Sequence, residues 1–270
     1  MNLRMKPVIL LFAGIFAMPC CSILGQDLLE VQMQRLANKK IKSTSIVKAE
    51  TGGSAAGSMT NYDAPMTVSE SKIEKEKTRE IATDNKGQIG YKISVIKHKV
   101  ETKNGVIEYS SDNPFERDPI AANFGQKYDQ YVGKQVLDSN LPVGFESVWS
   151  EDLPATHHNW GFAGILLNLK PAMAQPTIGN TWTDTTRRKD EMYYYQFTVK
   201  KIQPNKTELA VTIKRTYANG TTDWEGIMWV NMSNGLINEM TLNGSSQRKK
   251  DVMGSAVTMR SKLALQITNQ

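Results

Sequence analysis

The chain contains almost no cysteine. Its 270 residues include two, Cys20 and Cys21, and both lie near the amino terminus. A mature protein that begins at Gln26 would contain none, so it could form no intrachain disulfide. We therefore expect a hydrophobic core to stabilise the fold, and a chain of this length can bury one without cross-links.

Histidine is also scarce, and the familiar catalytic motifs are absent. The three histidines are His98, His157 and His158. Adjacent residues of an extended chain point to opposite sides, so His157 and His158 do not form a metal-binding pair. There is no His-Glu-x-x-His, no Gly-x-Ser-x-Gly and no phosphate-binding glycine loop. We predict no catalytic residue, no metal ligand and no cofactor, with a hydrolase whose residues converge from distant loops left open.

The first 25 residues have the layout of a secretory signal peptide. Two basic residues precede an apolar run over residues 7–18, and small residues end at Gly25 before Gln26. We predict cleavage between Gly25 and Gln26, and therefore a periplasmic or secreted protein. The alternative is a lipoprotein that is acylated at Cys20 or Cys21.

The distribution of charge argues against a nucleic acid partner. The formal net charge is +6, and Arg4 and Lys6 of the predicted signal peptide contribute two of these charges. The other basic residues are scattered, with short runs at residues 39–40, 187–189 and 248–250. Such runs can contact anionic lipid head groups, although they are more often solvated turns. We predict no nucleic acid partner and leave peripheral membrane association open.

We expect three segments along the chain. The signal peptide occupies residues 1–25, and a lead-in over residues 26–60 contains a short helix after Asp27 and a Gly/Ser loop at residues 52–57. An antiparallel β domain follows over residues 61–270. The proline-containing region 151–181 is expected to join two similar halves of its sheet.

Four Asn-Gly dipeptides indicate hairpins between residue 104 and residue 244. They occur at residues 104–105, 219–220, 234–235 and 243–244, each near β-forming residues. This dipeptide readily adopts the positive φ angles that two-residue turns require. Four such turns predict a meander of antiparallel strands.

The turn at Asn219-Gly220 predicts a specific strand register. A two-residue turn there sets Val211 opposite Met228 and Arg215 opposite Trp224 on one face. It also sets Lys214 opposite Glu225 on the other face. Apolar side chains meet apolar ones and opposite charges meet, as cross-strand pairs prefer.

The neighbouring segments predict a sheet with one apolar face and a helix packed on it. Tyr193, Tyr195, Phe197 and Val199 alternate with polar residues, as do the apolar residues of the last segment, 257–267. Asp118 and Pro119 are typical of a helix start, and Phe124 and Tyr128 follow at helical spacing. The predicted fold is mainly β: a curved antiparallel meander sheet, either open or a half barrel, with one or two short helices packed on it.

Residues 68–81 alternate charged and small side chains. This pattern favours a solvent-facing strand over a buried one. The carboxylates of residues 70–80 alternate with Lys72, Lys75, Lys77 and Arg79, so we expect them to stay ionised and solvated. A general acid needs a raised pKa, and nothing in this segment predicts one.

The strongest functional indication is apolar. Trp224 and Trp229 are five residues apart, so on a strand their side chains point to opposite faces, and the strand carries large side chains on both. One face could pack on the predicted helix while the other meets a ligand, since methionine and aromatic side chains adapt to apolar ligands. Core packing is the alternative. The predicted ligand-facing residues are Tyr193, Tyr195, Phe197, Val211, Trp224, Met228 and Met232.

Three segments resemble a family of exported, β-rich Bacteroidota proteins of unknown function. They are residues 107–112, the turn at Gly133 and residues 176–182. The resemblance extends from about residue 41 onward and rests on turns. It implies a predominantly β protein similar to periplasmic lipoprotein carriers, whose curved sheet holds acyl chains. It implies no activity and no catalytic residue.

We therefore predict an exported, non-catalytic protein that binds an apolar or amphipathic ligand such as a lipid. An envelope scaffold that binds a protein partner through the same apolar face is the first alternative. An unrecognised hydrolase is the second.

Overall fold

The computed structural model describes seven ranges of the chain: residues 40–55, 66–83, 88–113, 121–151, 176–188, 191–252 and 255–270. The predicted signal peptide with its cleavage site, the helix after Asp27 and the start of the helix at Asp118 and Pro119 lie outside them. So does most of the predicted connection 151–181. These predictions therefore stay predictions.

The described residues contain eleven antiparallel strands, which confirms the predicted fold class. The strands are β1 (Lys40–Ala55), β2 (Met66–Thr83), β3 (Ile89–Thr102), β4 (Gly105–Ser110), β5 (Gln135–Leu137), β6 (Thr181–Arg188), β7 (Glu191–Ile202), β8 (Thr207–Tyr217), β9 (Gly220–Asn231), β10 (Leu236–Val252) and β11 (Ser255–Asn269). They form one open sheet in the order β4-β3-β2-β1-β11-β10-β9-β8-β7-β6. β5 pairs with β3 beside β4.

The first and last strands meet in the middle of the sheet. β1 pairs with β11 from Ser43 opposite Asn269 to Ala55 opposite Val257. Consecutive hairpins build the sheet outward on each side, toward β4 in one direction and toward β6 in the other. The predicted meander is thus present as two runs that the β1–β11 pair joins.

The two described α-helices pack at the β3–β4 end of the sheet. α1 (Ala122–Tyr128) lies over β3 and β4, with the ring of Phe124 4.3 Å from that of His98. α2 (Phe145–Ser150) follows a short 3-10 turn, and the ring of Trp149 is 5.3 Å from that of Tyr91 in β3. The prediction of short helices on the sheet is confirmed, but α1 packs on β3 and β4 and not on the strand that contains Trp224.

The sheet has one buried face and one polar face, which we call the inner and outer faces. Apolar side chains of the inner face form two clusters. The first cluster also includes side chains of the helices that pack on this half, and it comprises Ile41, Ile81, Tyr91, Ile93, Ile96, Tyr109, Ala121, Tyr128, Tyr131, Val136, Phe145, Val148 and Trp149. The second cluster lies on the other half and comprises Tyr193, Tyr195, Phe197, Val199, Leu209, Val211, Ile213, Trp224, Met228, Val230, Ile237, Met240, Leu242, Leu265 and Ile267.

The outer face of β1 to β4 carries opposite charges on neighbouring strands. Lys48 lies 3.2 Å from Glu74, and Lys99 lies 3.4 Å from Glu108. These side chains are exposed, so each pair adds little to stability. Their alternation still disfavours a shifted register, because a shift would bring like charges together.

Three of the four Asn-Gly dipeptides lie at hairpin turns, but at residues 104–105 and 219–220 only the asparagine is a turn residue and the glycine begins a strand. Gly105 and Gly235 adopt positive φ angles of 133° and 75°. Asn243 and Gly244 instead lie within β10, where the prediction of a turn is wrong. A Cβ atom on Gly244 would come within 2.8 Å of the Trp224 ring, so this glycine makes room for a large side chain on β9. The predicted loop at residues 52–57 is likewise strand as far as Ala55.

The predicted register of the β8–β9 hairpin is wrong, because the two-residue turn lies one residue earlier in the chain than predicted. Val211 lies opposite Gly226, Met228 lies opposite Leu209, and Lys214 lies opposite Asp223. The turn residues are Ala218 and Asn219, and Gly220 begins β9 opposite Tyr217. The shift moves every partner by two residues, so each side chain keeps its predicted face.

The backbone of β10 explains why Gly220 belongs to the strand. A Cβ atom at this position would lie 2.0 Å from the carbonyl oxygen of Gln247 and 2.9 Å from Cα of Arg248. Gly220 therefore serves the close approach of two strands and not the turn. This requirement depends on β10 and cannot be read from the hairpin alone.

The corrected register can be tested with cysteine pairs on the outer face. Lys214→Cys with Asp223→Cys should form a disulfide under mild oxidation, because directly opposite residues are close enough for one. Lys214→Cys with Glu225→Cys is the matched control and represents the register that the sequence predicts. Efficient cross-linking of the control pair alone, measured by mass spectrometry of peptides, would contradict the observed register.

Candidate ligand-binding face

The second apolar cluster is built from rows of side chains that cross the sheet. In one row Phe197 of β7 lies opposite Val211 of β8, which lies opposite Gly226 of β9. The row continues through Leu242 of β10 to Leu265 of β11. Because the strands are antiparallel and in register, each row presents a continuous apolar strip on the inner face.

The predicted ligand-facing residues come together on this surface. Six of them are buried members of the second cluster, and Met232 packs against it from the β9–β10 turn. Aromatic contacts order the edge of the surface: Tyr193 stacks on Tyr195 at 6.3 Å, and Trp182 of β6 stacks on Phe197 at 5.4 Å. Their shared position is observed, and their contact with a ligand stays a prediction.

Trp224 and Trp229 lie on opposite faces of β9, as their parity predicts. Trp224 is buried on the inner face next to Gly244. Trp229 is partly buried on the outer face, where the ammonium of Lys206 lies 4.6 Å from its ring. A substitution at Trp224 therefore alters the inner face, and a substitution at Trp229 alters the outer face.

A strip of buried polar residues separates the two apolar clusters. We call it the polar seam, and it consists of Ser43, Ser45, Lys77, Arg79 and Asn269, all buried on the inner face. The strand register explains their proximity, because Ser43 lies opposite both Arg79 and Asn269, and Ser45 lies opposite Lys77. The seam thus runs along β1 at the boundary between the helix-covered half and the other half.

The cations of the seam hold the end of α2 on the sheet. Lys77 donates a hydrogen bond to the carbonyl oxygen of Val148. Arg79 donates to the carbonyl oxygen of Trp149 at 2.8 Å and to Oγ of Ser45 at 2.6 Å. The last carbonyls of a helix lack partners within the helix and carry partial negative charge, so buried cations are stabilising there.

Glu151 supplies the negative charge that this site requires. Its Oε1 lies 3.2 Å from Nζ of Lys77 and 3.0 Å from Nζ of Lys75, and its Oε2 pairs with Lys127. Burial by itself would raise the pKa of Glu151. The charges of Lys77, Lys75 and Lys127 outweigh burial and lower this pKa to about 2.

His98 lies beside this network and stays neutral at physiological pH. Its side chain is buried between β3 and α1, where it contacts Phe124. Burial, followed by the positive charge of Lys75, lowers the pKa of His98 to about 4. The histidine therefore packs as an aromatic side chain.

The prediction of a solvent-facing segment at residues 68–81 is wrong for its inner face. Lys77 and Arg79 are fully buried. Charged residues can occupy a core position when carbonyls and a carboxylate meet them, and α2 and Glu151 provide both. The alternation of side chains along β2 could have indicated this burial, because the apolar residues Ile73 and Ile81 lie on the same face as the two cations.

Two buried oxygen atoms on directly opposite residues of the polar seam, Oγ of Ser43 and Oδ1 of Asn269, have no hydrogen-bond partner among the described residues. The amide of Asn269 donates to the carbonyl oxygen of Ile237 at 2.5 Å, but its oxygen accepts nothing there. Buried polar atoms are normally paired, so these two oxygens are exceptions among the described residues.

No described helix is long and apolar enough to cross a bilayer. No three side chains of His, Cys, Asp or Glu in the described part of the chain are grouped as a metal site would require.

No protein-family model matches the chain, and no curated protein matches it. A structure on lipid–protein interactions in lipovitellin is similar, with a TM-score of 0.46 and 13% identity over 87% of this chain. The match covers 25% of the lipovitellin chain, so this protein spans about a quarter of its length.

Two mutant porins of Rhodopseudomonas blastica are also similar, with TM-scores of 0.20 and 0.19 and 9% identity. Each match covers 85% of this chain and 100% of the porin. Similarities at these levels assign no family. The resemblance to exported Bacteroidota proteins therefore stays a prediction.

Replacing Glu151 tests the electrostatic account of the α2 attachment. Glu151→Gln should lower the free energy of unfolding by about 3 kcal/mol, because three lysines would be left without their shared counter-charge. Urea denaturation at pH 7 measures this value. Glu108→Gln, at an exposed ion pair on the outer face, is the control and should change it by less than about 0.5 kcal/mol.

The same variant should alter the pH dependence of stability. The pKa of Glu151 is about 2 in the fold against an ordinary value of 4.5. Its contribution is therefore complete above pH 4.5 and is lost as the pH falls towards 2. Glu151→Gln should lack this part of the acid dependence. Identical curves for wild type and variant between pH 4.5 and pH 2 would contradict the assigned role.

Proposed function

We propose that the protein binds an amphipathic ligand with acyl chains, such as a lipid, on the inner face of β6 to β11. The observation that carries this proposal is the second apolar cluster, a continuous surface of fifteen buried side chains on one face of an open sheet. Ligand sites for apolar molecules are lined mainly by aliphatic and aromatic side chains, and this surface contains both.

The contrast between the two halves of the sheet supports this assignment. The first cluster includes residues of α1 and α2, which cover β3 and β4. Among the described residues, the second cluster and the side chains packed on it come from strands and the β9–β10 turn. Described helices cover the first half, and we propose that an acyl chain packs against the strand side chains of the second half.

The polar seam suits the polar group of such a ligand. It borders the second cluster along β11, where Ile267 precedes Asn269 by two residues on the same face. The oxygen atoms of Ser43 and Asn269 could be satisfied by a ligand that has both a donor and an acceptor. A hydrocarbon would leave these atoms unpaired, so the site favours an amphipathic ligand over a purely apolar one.

The predicted signal peptide supports export of this binding protein. We propose that the mature chain begins at Gln26 and works in the periplasm or outside the cell. Intact-mass measurement of protein purified from a native envelope fraction distinguishes this form from a protein acylated at Cys20 or Cys21. A protein partner that co-purifies without lipid would instead favour the scaffold function.

Ligand binding can be tested with a fluorescent fatty acid. We expect the purified protein to bind cis-parinaric acid more strongly than lysozyme does, and its solvent extract to contain lipid by mass spectrometry. Trp182→Ala, which removes an inner-face ring, should weaken binding about tenfold, equivalent to about 1.4 kcal/mol. Trp229→Ala on the outer face is the matched control and should bind as the wild type does.

Two outcomes would contradict the lipid proposal. The first is an empty extract together with probe binding no stronger than that of lysozyme. The second is an equal effect of Trp182→Ala and Trp229→Ala, with both variants folded by circular dichroism. Equal effects would mean that the probe does not distinguish the inner face from the outer face.

A second test concerns the polar group of the ligand. Ser43→Ala should weaken binding of palmitic acid but leave binding of hexadecane unchanged, because only the acid can hydrogen-bond to Ser43. Isothermal titration calorimetry with both probes measures the difference. Thr44→Ala, at the next position of β1 on the opposite face, should change neither. Equal losses for the acid and the hydrocarbon would argue against polar recognition at the seam.

A further inference from the structure

A polar groove crosses the outer face of the central strands, toward the end of β1 that is distant from the polar seam. It has a volume of about 600 Å³ and is lined by residues of β2, β1, β11, β10 and β9. It lies on the side opposite to the second apolar cluster. The proposed lipid site therefore does not use it.

Strand register aligns one wall of this groove. Lys72 of β2 lies opposite Glu50 of β1, which lies opposite Lys262 of β11. The row continues through Ser245 of β10 to Asp223 of β9. With strands about 4.8 Å apart, five strands give a wall of about 19 Å.

The opposite wall is formed by the residues two positions away on each strand, at a distance of about 7 Å. Its members include Arg260 of β11, Gln247 of β10 and Thr221 of β9, which face one another across the strands. The intervening residues Thr51 and Ser261 point to the inner face, where their hydroxyl oxygens are 2.9 Å apart. Backbone therefore forms the floor between the two walls.

The charges of the lining residues balance. The described lining residues include three acids, Glu50, Glu70 and Asp223, and three bases, Lys72, Arg260 and Lys262. A nucleic acid or another polyanion is bound chiefly by excess positive charge, which this lining does not supply. Among the described residues the lining contains no aromatic or large aliphatic side chain, so these residues offer no apolar surface for a lipid and no pocket for the aromatic anchors of a protein partner.

The remaining ligand chemistry is recognition by hydrogen bonds alone. Carboxylates accept and guanidinium and ammonium groups donate, and hydrogen bonds to charged groups are stronger than neutral ones. A molecule with many hydroxyl groups can donate to the carboxylates and accept from the guanidinium and ammonium groups along a groove of this length. We propose that this groove binds a neutral carbohydrate chain of a few sugar units, extended across β2 to β9.

The proposal can be tested by titrating the intact protein with neutral tetrasaccharides of glucose, N-acetylglucosamine, mannose and galactose. Saturation-transfer NMR detects binding, and calorimetry measures affinity. We expect at least one tetrasaccharide to bind. Asp223→Ala and Arg260→Ala should each weaken it about tenfold or more, the effect of losing a hydrogen bond to a charged group.

Glu225→Ala is the matched control, because Glu225 is an exposed acid on the same face of β9 that does not line the groove. It should bind the sugar as the wild type does. Failure of all four tetrasaccharides to bind would overturn the proposal, as would binding that Asp223→Ala and Arg260→Ala leave unchanged. Salt-sensitive binding of a heparin oligosaccharide in preference to the neutral sugars would also overturn it. None of these results bears on the lipid test, which reports on the opposite face.

Discussion

The attachment of α2 to β2 by buried cations determines how the inner face is divided. Lys77 and Arg79 lie at core positions, where an uncompensated charge would cost several kcal/mol. The carbonyls of Val148 and Trp149, together with Glu151, offset that cost only when α2 ends above β2. The helix-covered half of the sheet and the polar seam beside it both follow from this requirement.

The β1–β11 pair makes the two hairpin runs a single surface. Without it, the apolar strip on β6 to β11 and the seam on β1 and β2 would belong to separate sheets. With it, an apolar surface borders buried polar atoms, which is the arrangement an amphipathic ligand needs. The outer face of the same strands carries balanced charges and a polar groove, so the two faces suit different chemistry.

Much of the candidate site could be predicted from alternation alone. Tyr193, Tyr195 and Phe197 share a face because side chains of a strand alternate, and the structure brings them together with Trp224 and Met228. Individual cross-strand partners could not be predicted in the same way. The β8–β9 register depends on the contact of Gly220 with β10, a strand outside that hairpin.

The sequence by itself determined the class of fold, the apolar face of each later strand and most turns, because these depend on local periodicity and turn chemistry. Only the tertiary structure decided that Lys77 and Arg79 are buried, that Ser43 meets Asn269 and that a groove forms across five strands. The physical reason is sequence separation. β1 pairs with β11 and β2 meets α2 across long stretches of chain, and the charges, carbonyls and close contacts that fix these positions come from residues far apart in the sequence.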